Sequence, residues 1–215
     1  MGRPAANTIA VATTERVLNA ALQEFARRGF DGARLADVAA AAGITRPSLL
    51  YHFASKEQLY AATVAQAFGS ISDMIVTAVS ARGSFRDRLR FLVEGFLAFA
   101  AENPAVCRLL MRTVVADDDA TTRALLLEQA APLLDDVTRF FAHDGESDLQ
   151  PGANLRAGLM SVVVNVLAKA ASGPLRAPLW GGENDDDVWM IVEHGLLRSA
   201  PTTTTEASLS AGGES

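Results

Sequence analysis

Five side chains between residues 46 and 56 combine positive charge, hydroxyl groups and aromatic rings in one short segment. They are Arg46, Ser48, Tyr51, His52 and Lys56. Side chains of these types bind phosphate oxygens, and arginine also pairs with the O6 and N7 atoms of guanine. Exposed charges at the start of a helix are routine, so the segment alone is only compatible with binding to nucleic acid, and a solvated or packing role stays open for Tyr51 and His52. For Arg46, base and phosphate contacts both stay open.

Other residues that could do chemistry lack suitable neighbours in the sequence. The acidic triplets 117–119 and 185–187 each precede or open a predicted helix, where carboxylates stabilise the positive end of the helix dipole. His143 and His194 are isolated from other metal-ligand types, and Cys107 lies among apolar residues at helical spacing, which is typical of a core position. With no catalytic spacing of Ser, His, Asp or Cys and no phosphate-binding glycine loop, we expect no metal, no cofactor and no enzymatic activity.

The elements that must position the basic segment are two short helices joined by a tight turn. Residues 35–42 and 46–53 carry apolar residues at helical spacing, and Gly43 between them supplies the positive φ that the turn needs. Thr45 is suited to cap the second helix, and Pro47 is tolerated in its first turn. Two helices joined in this way form a helix-turn-helix, whose second helix enters a DNA major groove.

The rest of the chain also shows only helical periodicity, so the sequence predicts an all-α protein. Breaks are expected at Asn103-Pro104, at 144–152 and in the Gly/Pro-rich stretch 172–182, and the small polar residues 201–215 predict a disordered tail. The remaining helices are predicted at 14–28, 55–80, 84–102, 104–116, 119–142, 153–172 and 184–199.

Charge is divided unevenly along the 215 residues, whose net charge is −6. Residues 1–68 hold seven basic and five acidic side chains, whereas the other 147 hold 12 basic and 20 acidic ones, which indicates two separate tasks. The longest stretch without a charge, 58–72, is shorter than the roughly 20 residues of a membrane-spanning helix. Because the N-terminus also lacks the pattern of a secretory signal, we expect a cytoplasmic protein without a membrane partner.

Residues 10–65 resemble the DNA-binding domain of the TetR family of transcriptional regulators. The resemblance rests on a first-helix pattern from Arg16 to Phe30, on Asp37-Val38-Ala39, on Ala42-Gly43-Ile44-Thr45, and on Leu49, Phe53 and Ser55-Lys56-Glu57-x-Leu59. It implies an N-terminal three-helix helix-turn-helix DNA-binding domain at 1–54. A larger helical ligand-binding and dimerisation domain would follow at 55–200.

The same resemblance implies which side chains contact DNA. Those at the start of the recognition helix would face base edges, and those at its end and at the start of the next helix would hold the backbone. Since Ala33-Arg34 replaces the usual Thr or Ser cap, Arg34 would make a phosphate contact of its own, and Arg3 resembles an arm that enters the minor groove. The predicted DNA-binding residues are Arg3, Arg34, Thr45, Arg46, Pro47, Ser48, Tyr51, His52 and Lys56.

For the C-terminal part, the resemblance implies a homodimer and a ligand cavity. The predicted helices at 153–172 and 184–199 are apolar on more than one face, which favours dimerisation through them, with burial inside one monomer as the alternative. The middle helices offer few polar groups, which favours an apolar or aromatic ligand. The predicted ligand-binding residues are Phe91, Phe96, Cys107, Leu110, Met111, Val114, Leu126 and Phe140.

Taken together, these expectations describe a homodimeric regulator that binds a pseudo-palindromic double-stranded DNA operator. We expect a repressor that a small-molecule effector releases from DNA, with motion passing through the long helix at 55–80. The alternative is a helical small-molecule-binding or scaffolding protein that has lost DNA binding.

Overall fold

Helices make up most of the described part of the chain. The computed structural model describes residues 6–115, 120–181 and 185–198, and in these ranges the only β pairing is a single bridge between Leu149 and Leu197. The predicted all-α fold is therefore confirmed. The helices are α1 (Ala6–Gly32), α2 (Leu35–Ala41), α3 (Arg46–His52), α4 (Lys56–Val79), α5 (Phe85–Glu102), α6 (Pro104–Val115), α7 (Ala120–Asp144), α8 (Leu155–Ala171), α9 (Arg176–Trp180) and α10 (Asp186–Gly195), with a short 3-10 helix at Gly173–Leu175.

Two predicted boundaries are wrong. Helix α1 begins at Ala6 instead of residue 14, and it continues to Gly32 across a non-helical Gly29 with φ of 72°. The stretch 172–182, predicted as a break, contains the 3-10 helix and α9. Pro174 and Pro178 lie in the first turns of these elements, where the missing N–H of proline removes no helical hydrogen bond.

The N-terminal helices enclose a small apolar core of their own. Val17 and Phe25 from α1, Val38 from α2, Leu49 from α3 and Leu59 from α4 are almost completely buried. Full burial of such a side chain contributes about 1.5–3 kcal/mol. The core therefore fixes α3 against α1 and leaves the opposite face of α3 open to solvent.

An aromatic cluster joins the start of α5 to the last turns of α7. The ring centroids of Phe140 and Phe141 from α7 lie 5.4 Å from that of Phe85 at the start of α5. The Arg88 guanidinium lies 4.9 Å from the centroid of Phe140 and pairs with Asp144 at 2.7 Å. Phe140, predicted to bind ligand, is thus a packing residue here.

Helices α8, α9 and α10 are joined by partly buried ion pairs. The ammonium of Lys169, only 3% exposed, contacts the carboxylates of Asp187 and Asp185, and Arg176 binds Asp185 at 2.9 Å. Asp186 and Asp187 occupy the first turn of α10, as predicted for the triplet 185–187. The other triplet, 117–119, and the predicted tail 201–215 lie outside the described residues.

Helix α4 is long and apolar enough to cross a membrane, if only length and composition are considered. The sequence predicted no such segment, because it counted charge-free stretches and α4 carries Lys56, Glu57 and Asp73. Within the fold α4 packs against α1, α5, α6 and α7. Leu59, Val64 and Ile71 are among its residues that are buried.

Cys107, the single cysteine of the chain, is fully buried in α6. Its thiol lies 3.8 Å from the carbonyl oxygen of Ala100, and burial raises its pKa to about 11. Because the thiolate is the reactive form of cysteine, this thiol is inert as well as inaccessible. The position is that of a core residue, away from the cavity described below.

Substitution of Gly145 by Ala tests the aromatic cluster. A Cβ at this position would lie 2.4 Å from the ring of Phe85, which Phe140 and Phe141 hold in place. We expect Gly145→Ala to lower the free energy of unfolding by about 1–3 kcal/mol, measured by urea denaturation. Gly69→Ala is the matched control, since a Cβ there meets no atom within 4 Å and should stabilise α4 by about 0.5–1 kcal/mol. Equal effects of the two changes would contradict the packing described.

The thiol of Cys107 should resist modification in the folded protein. Because its pKa is raised to about 11, we expect the thiol to stay protonated from pH 7 to pH 9 and to react with an aromatic disulfide reagent very slowly. The same protein in guanidinium chloride should react at once, with the pH dependence of an ordinary thiol near 8.5. Native-state labelling as fast as that of the unfolded protein would show that the thiol is accessible.

Candidate nucleic-acid interface

The turn between α2 and α3 is fixed by two backbone hydrogen bonds. The N–H of Gly43 donates to the carbonyl of Ala40 at 3.1 Å, and that of Ile44 donates to the carbonyl of Ala39 at 3.0 Å. This pair of bonds is a Schellman motif, and Gly43 takes the left-handed conformation that it requires, with φ of 70°. The Arg16 side chain from α1 also donates to the carbonyl of Ala42 at 3.3 Å. The angle between the two helices is therefore set locally and supported from α1.

The start of α3 is built by Thr45 and Pro47. The hydroxyl oxygen of Thr45 accepts a hydrogen bond from the N–H of Ser48 at 3.3 Å, and Pro47 lies in the first helical turn. Both residues therefore stabilise the N-terminal turn of α3, where Arg46 is exposed. The hydroxyl proton of Thr45 remains available to donate outward.

Helix α3 presents Tyr51 to solvent. This side chain is 88% exposed, whereas Leu49 two positions earlier is fully buried. Such exposure excludes a core role for Tyr51 within the chain. Its ring meets that of the half-buried His52 edge to face, with 5.7 Å between the centroids. Arg46, Pro47 and Tyr51 are thus exposed residues of a helix whose other face is anchored.

Lys56, at the start of α4, is tied to the end of α1. Its ammonium donates to the carbonyl of Asp31 at 3.1 Å and lies 4.7 Å from the ring centroid of Phe30. A lysine has three N–H donors, so the group can hold α1 and still reach a phosphate. Ser55 caps α4 by accepting from the N–H of Gln58 at 3.2 Å.

Arg34 occupies the N-cap position of α2, where its side chain makes no capping hydrogen bond. The side chain is exposed, so the predicted phosphate contact is sterically open. Arg3 lies outside the described residues. Arg34 thus lies at the start of α2, Arg46 and Tyr51 lie on α3, and Lys56 lies at the start of α4.

A separate apolar cavity of ≈ 180 Å³ lies in the C-terminal body, between α4, α5, α6, α7, α8 and the end of α10. All its lining residues are apolar. Four of the predicted ligand-binding residues, Phe96, Leu110, Val114 and Leu126, line this cavity.

The other four predicted ligand-binding residues are not on the cavity wall. Phe91 is 49% exposed on α5 because it lies outside the buried stripe of that helix. Cys107 and Phe140 pack elsewhere in the core, and Met111 is half-buried on α6. Helical spacing alone did not predict which side of each helix faces the cavity. The wall includes Phe68 and Met74 of α4 and Phe141 of α7, which sequence reasoning missed because any apolar core position gives the same signal.

The described residues contain no group of three or more His, Cys, Asp or Glu side chains placed to hold a metal ion. His143 is exposed beside Asp144, and the Nδ1 atom of His194 lies 3.1 Å from the carbonyl oxygen of Met190. His143 and His194 thus each have a local neighbour, and both lie on helices other than α3.

Helix α6 is hydrogen-bonded to α1 and to α4. The Nε atom of Arg112 donates to the carbonyl of Ala26 at 3.1 Å, and its Nη2 atom donates to the carbonyl of Arg27 at 3.4 Å. The next residue, Thr113, shares a buried hydrogen bond of 2.9 Å with the hydroxyl of Tyr60 on α4. No signal for these contacts exists in the sequence, because they join residues more than 50 positions apart.

Comparison with known proteins identifies the helix-turn-helix part. The family model for bacterial regulatory proteins of the tetR family matches residues 17–63. The HTH-type transcriptional regulator RutR of Escherichia coli (strain K12) is 46% identical over 55 residues, which are 26% of either chain. The chain thus matches about a quarter of the length of this relative. The HTH-type transcriptional activator FasR of Mycolicibacterium smegmatis is 25% identical over 151 residues, 70% of this chain and 68% of FasR.

The fold beyond the helix-turn-helix also has solved counterparts. The crystal structure of a TetR family transcription regulator from Marinobacter aquaeolei VT8 superposes with a TM-score of 0.67, covering 89% of this chain and 100% of that chain at 20% identity. This identity shows a common fold alone. The family model covers the helix-turn-helix, and the solved structure covers most of the remaining fold as well. Residues 17–63 therefore carry the DNA-binding helices of the tetR family of bacterial regulatory proteins, and the described chain has the fold of a solved TetR family regulator.

Proposed function

We propose that this regulator binds a pseudo-palindromic DNA operator as a homodimer, represses transcription there, and leaves the DNA when a small apolar ligand binds. The observation that carries the proposal is the exposed face of α3, where Arg46 and the 88%-exposed Tyr51 stand on a helix anchored by buried Leu49. We also propose a division into a DNA-binding domain at 1–54 and a regulatory domain at 55–200, with Ser55 as the N-cap of α4 between them.

In this proposal the N-terminal turn of α3 enters the major groove. Arg46 binds either guanine or a phosphate, and the neighbouring Pro47 and Ser48 lie against base edges. Tyr51, His52, Lys56 and Arg34 hold the DNA backbone, which positions the helix without specifying sequence.

A dimer is supported by apolar side chains that the single chain leaves exposed. They are Val164 on α8, Leu175 at the N-cap of α9, Leu179 within α9, and Met190 on α10. Exposed apolar residues concentrated on adjacent helices are typical of protein–protein contacts. The proposed interface thus extends the predicted helices 153–172 and 184–199 to include α9. Two copies would present their α3 helices about 34–36 Å apart, one turn of DNA.

The cavity supports the proposed ligand class. Apolar cavities of about 150 Å³ stay dry and accept a molecule the size of benzene, and the ≈ 180 Å³ cavity here is of that order. Its wall offers no charged or amide side chain, so a polar ligand would lose its hydrogen bonds to water without replacement. We therefore propose a small aliphatic or monocyclic aromatic ligand.

Helix α6 offers a route from the cavity to the DNA-binding domain. Leu110 and Val114 line the cavity, while Arg112 and Thr113 between them hold α1 and α4. A ligand that displaces this part of α6 would also displace the carbonyl groups that Arg112 holds. Release from DNA follows if the ligand binds this displaced state more tightly than the DNA-bound state.

Selection of bound sites from random DNA tests the first part of the proposal. We expect a near-palindrome, and we expect Arg46→Ala combined with Tyr51→Ala to weaken binding to it at least about tenfold, since each contact contributes about 1–3 kcal/mol. Arg139→Ala is the control, because this exposed arginine on α7 pairs only with Asp136 three residues away. A double variant that binds as tightly as the parent protein would exclude these contacts, and failure to select any site would favour the scaffolding alternative. A promoter fusion to the selected site distinguishes a repressor from an activator.

A double-mutant cycle tests the route through α6 without knowledge of the ligand. Ala130→Phe inserts a ring into the cavity wall and should weaken operator binding by about 5- to 150-fold, the usual range of coupling between sites. In an Arg112→Met background this effect should shrink several-fold, because the hydrogen bonds to α1 are already lost. Ala124→Phe, on the exposed side of α7, is the control. The same loss of affinity in both backgrounds would indicate that the signal passes through α4 instead.

A further inference from the structure

A second cleft, open to solvent and with a volume of ≈ 830 Å³, lies between α1, α2 and α6. It is separate from the apolar cavity, and none of its lining residues is shared with it. Four arginines line it: Arg16 and Arg27 from α1, and Arg108 and Arg112 from α6. Two carboxylates, Glu24 and Asp37, also line it, so the charged side chains of the cleft are in excess positive, and both positive groups of α6 are arginines.

The hydrogen bonds of these arginines leave most of the positive charge uncompensated. Arg16 and Arg112 donate to backbone carbonyls, which carry no net charge. Arg27 pairs with Glu24 at 2.6 Å, but the same carboxylate also pairs with Arg28 at 3.0 Å. Asp37, the other acid of the cleft, lies 3.6 Å from Arg28 as well. Two carboxylates therefore stand among five arginines.

Arg108 is the most informative member of the group. Its side chain is half-buried on α6, one helical turn before Arg112, and within the described residues it has no ion pair or hydrogen bond. A guanidinium partly removed from water gains from any anion that it meets. The regulatory body as a whole is acidic, so these arginines are a local feature and do not follow from its overall charge.

We infer that this cleft binds the phosphate group of a small phosphorylated metabolite, which bridges α1 and α6. The planar fork of arginine matches phosphate oxygens with two parallel hydrogen bonds, and groups on both sides of the cleft can contribute. The volume is in the range of metabolite sites and exceeds the size of a free phosphate ion. Asn19 and Gln23 on α1 offer amide groups for the rest of the molecule.

This site would act on the same junction as Arg112, but independently of the apolar cavity. An anion bound by Arg108 of α6 and by an arginine of α1 would add a second link beside that of Arg112 and hold the DNA-binding helices in one orientation against the body. The regulator would then respond to two classes of molecule, one apolar and one anionic. This inference does not depend on the operator or on the apolar ligand, because anion binding is measured on the protein alone.

Thermal unfolding with defined anions tests the inference. Inorganic phosphate and AMP are compared with sodium chloride at matched ionic strength, and adenosine serves as the uncharged counterpart of AMP. We expect a saturable rise in Tm of about 3–6 °C at ten times the dissociation constant of the anion. Arg108→Gln should remove most of this rise, whereas Arg139→Gln, the same change of charge on α7, should retain it. A larger rise with AMP than with phosphate would show that the cleft also binds the nucleoside part.

Several outcomes would overturn the inference. A rise that does not saturate, or that is equal in Arg108→Gln and Arg139→Gln, would be the general stabilisation that phosphate gives to proteins. An equal rise with adenosine would exclude recognition of the phosphate. If Arg108→Gln reduced the salt dependence of DNA binding by about one unit in phosphate-free buffer, the arginine would be a DNA contact instead.

Discussion

Two carbonyl groups of α1, those of Ala26 and Arg27, accept the hydrogen bonds on which the arrangement of the two parts depends. They lie just before Gly29, whose non-helical backbone interrupts α1, and a helix leaves the carbonyls before such a break without helical partners. Both receive the side chain of Arg112 from α6. The adjacent hydrogen bond between Thr113 and Tyr60 fixes the start of α4 to the same helix. One turn of α6 thus sets the orientation of the helix-turn-helix relative to the body.

The same segment of α6, residues 108–114, contributes to three sites. Its Arg112 and Thr113 hold α1 and α4, its Leu110 and Val114 line the apolar cavity, and its Arg108 and Arg112 line the arginine-rich cleft. A packed helix moves as a rigid body over such short distances, so a change on one face is felt on the others. This geometry offers a way for the body to influence a recognition helix that is itself well anchored.

Local chemistry at the helix-turn-helix was predictable because each feature involves residues a few positions apart. The left-handed Gly43, the Thr45 cap and the Ser55 cap all join groups within five residues of one another. The buried Leu49 and the exposed Tyr51 follow from the same helical periodicity. By contrast, the prediction of a break at 172–182 failed because prolines are compatible with the first turn of a helix, and composition does not reveal where a turn begins.

The sequence by itself determined the fold class, the helix-turn-helix and the identity of the side chains on its exposed face, since these depend on local hydrogen bonds and on helical period. Only the tertiary structure decided which apolar residues line the cavity, and it left Phe91, Cys107, Met111 and Phe140 off the wall. It also placed Arg112, distant in sequence, on the end of α1, and it gathered arginines from α1 and α6 around one cleft. The physical reason is that helix packing angles arise from the fit of many side chains together, so no single segment specifies what it will face.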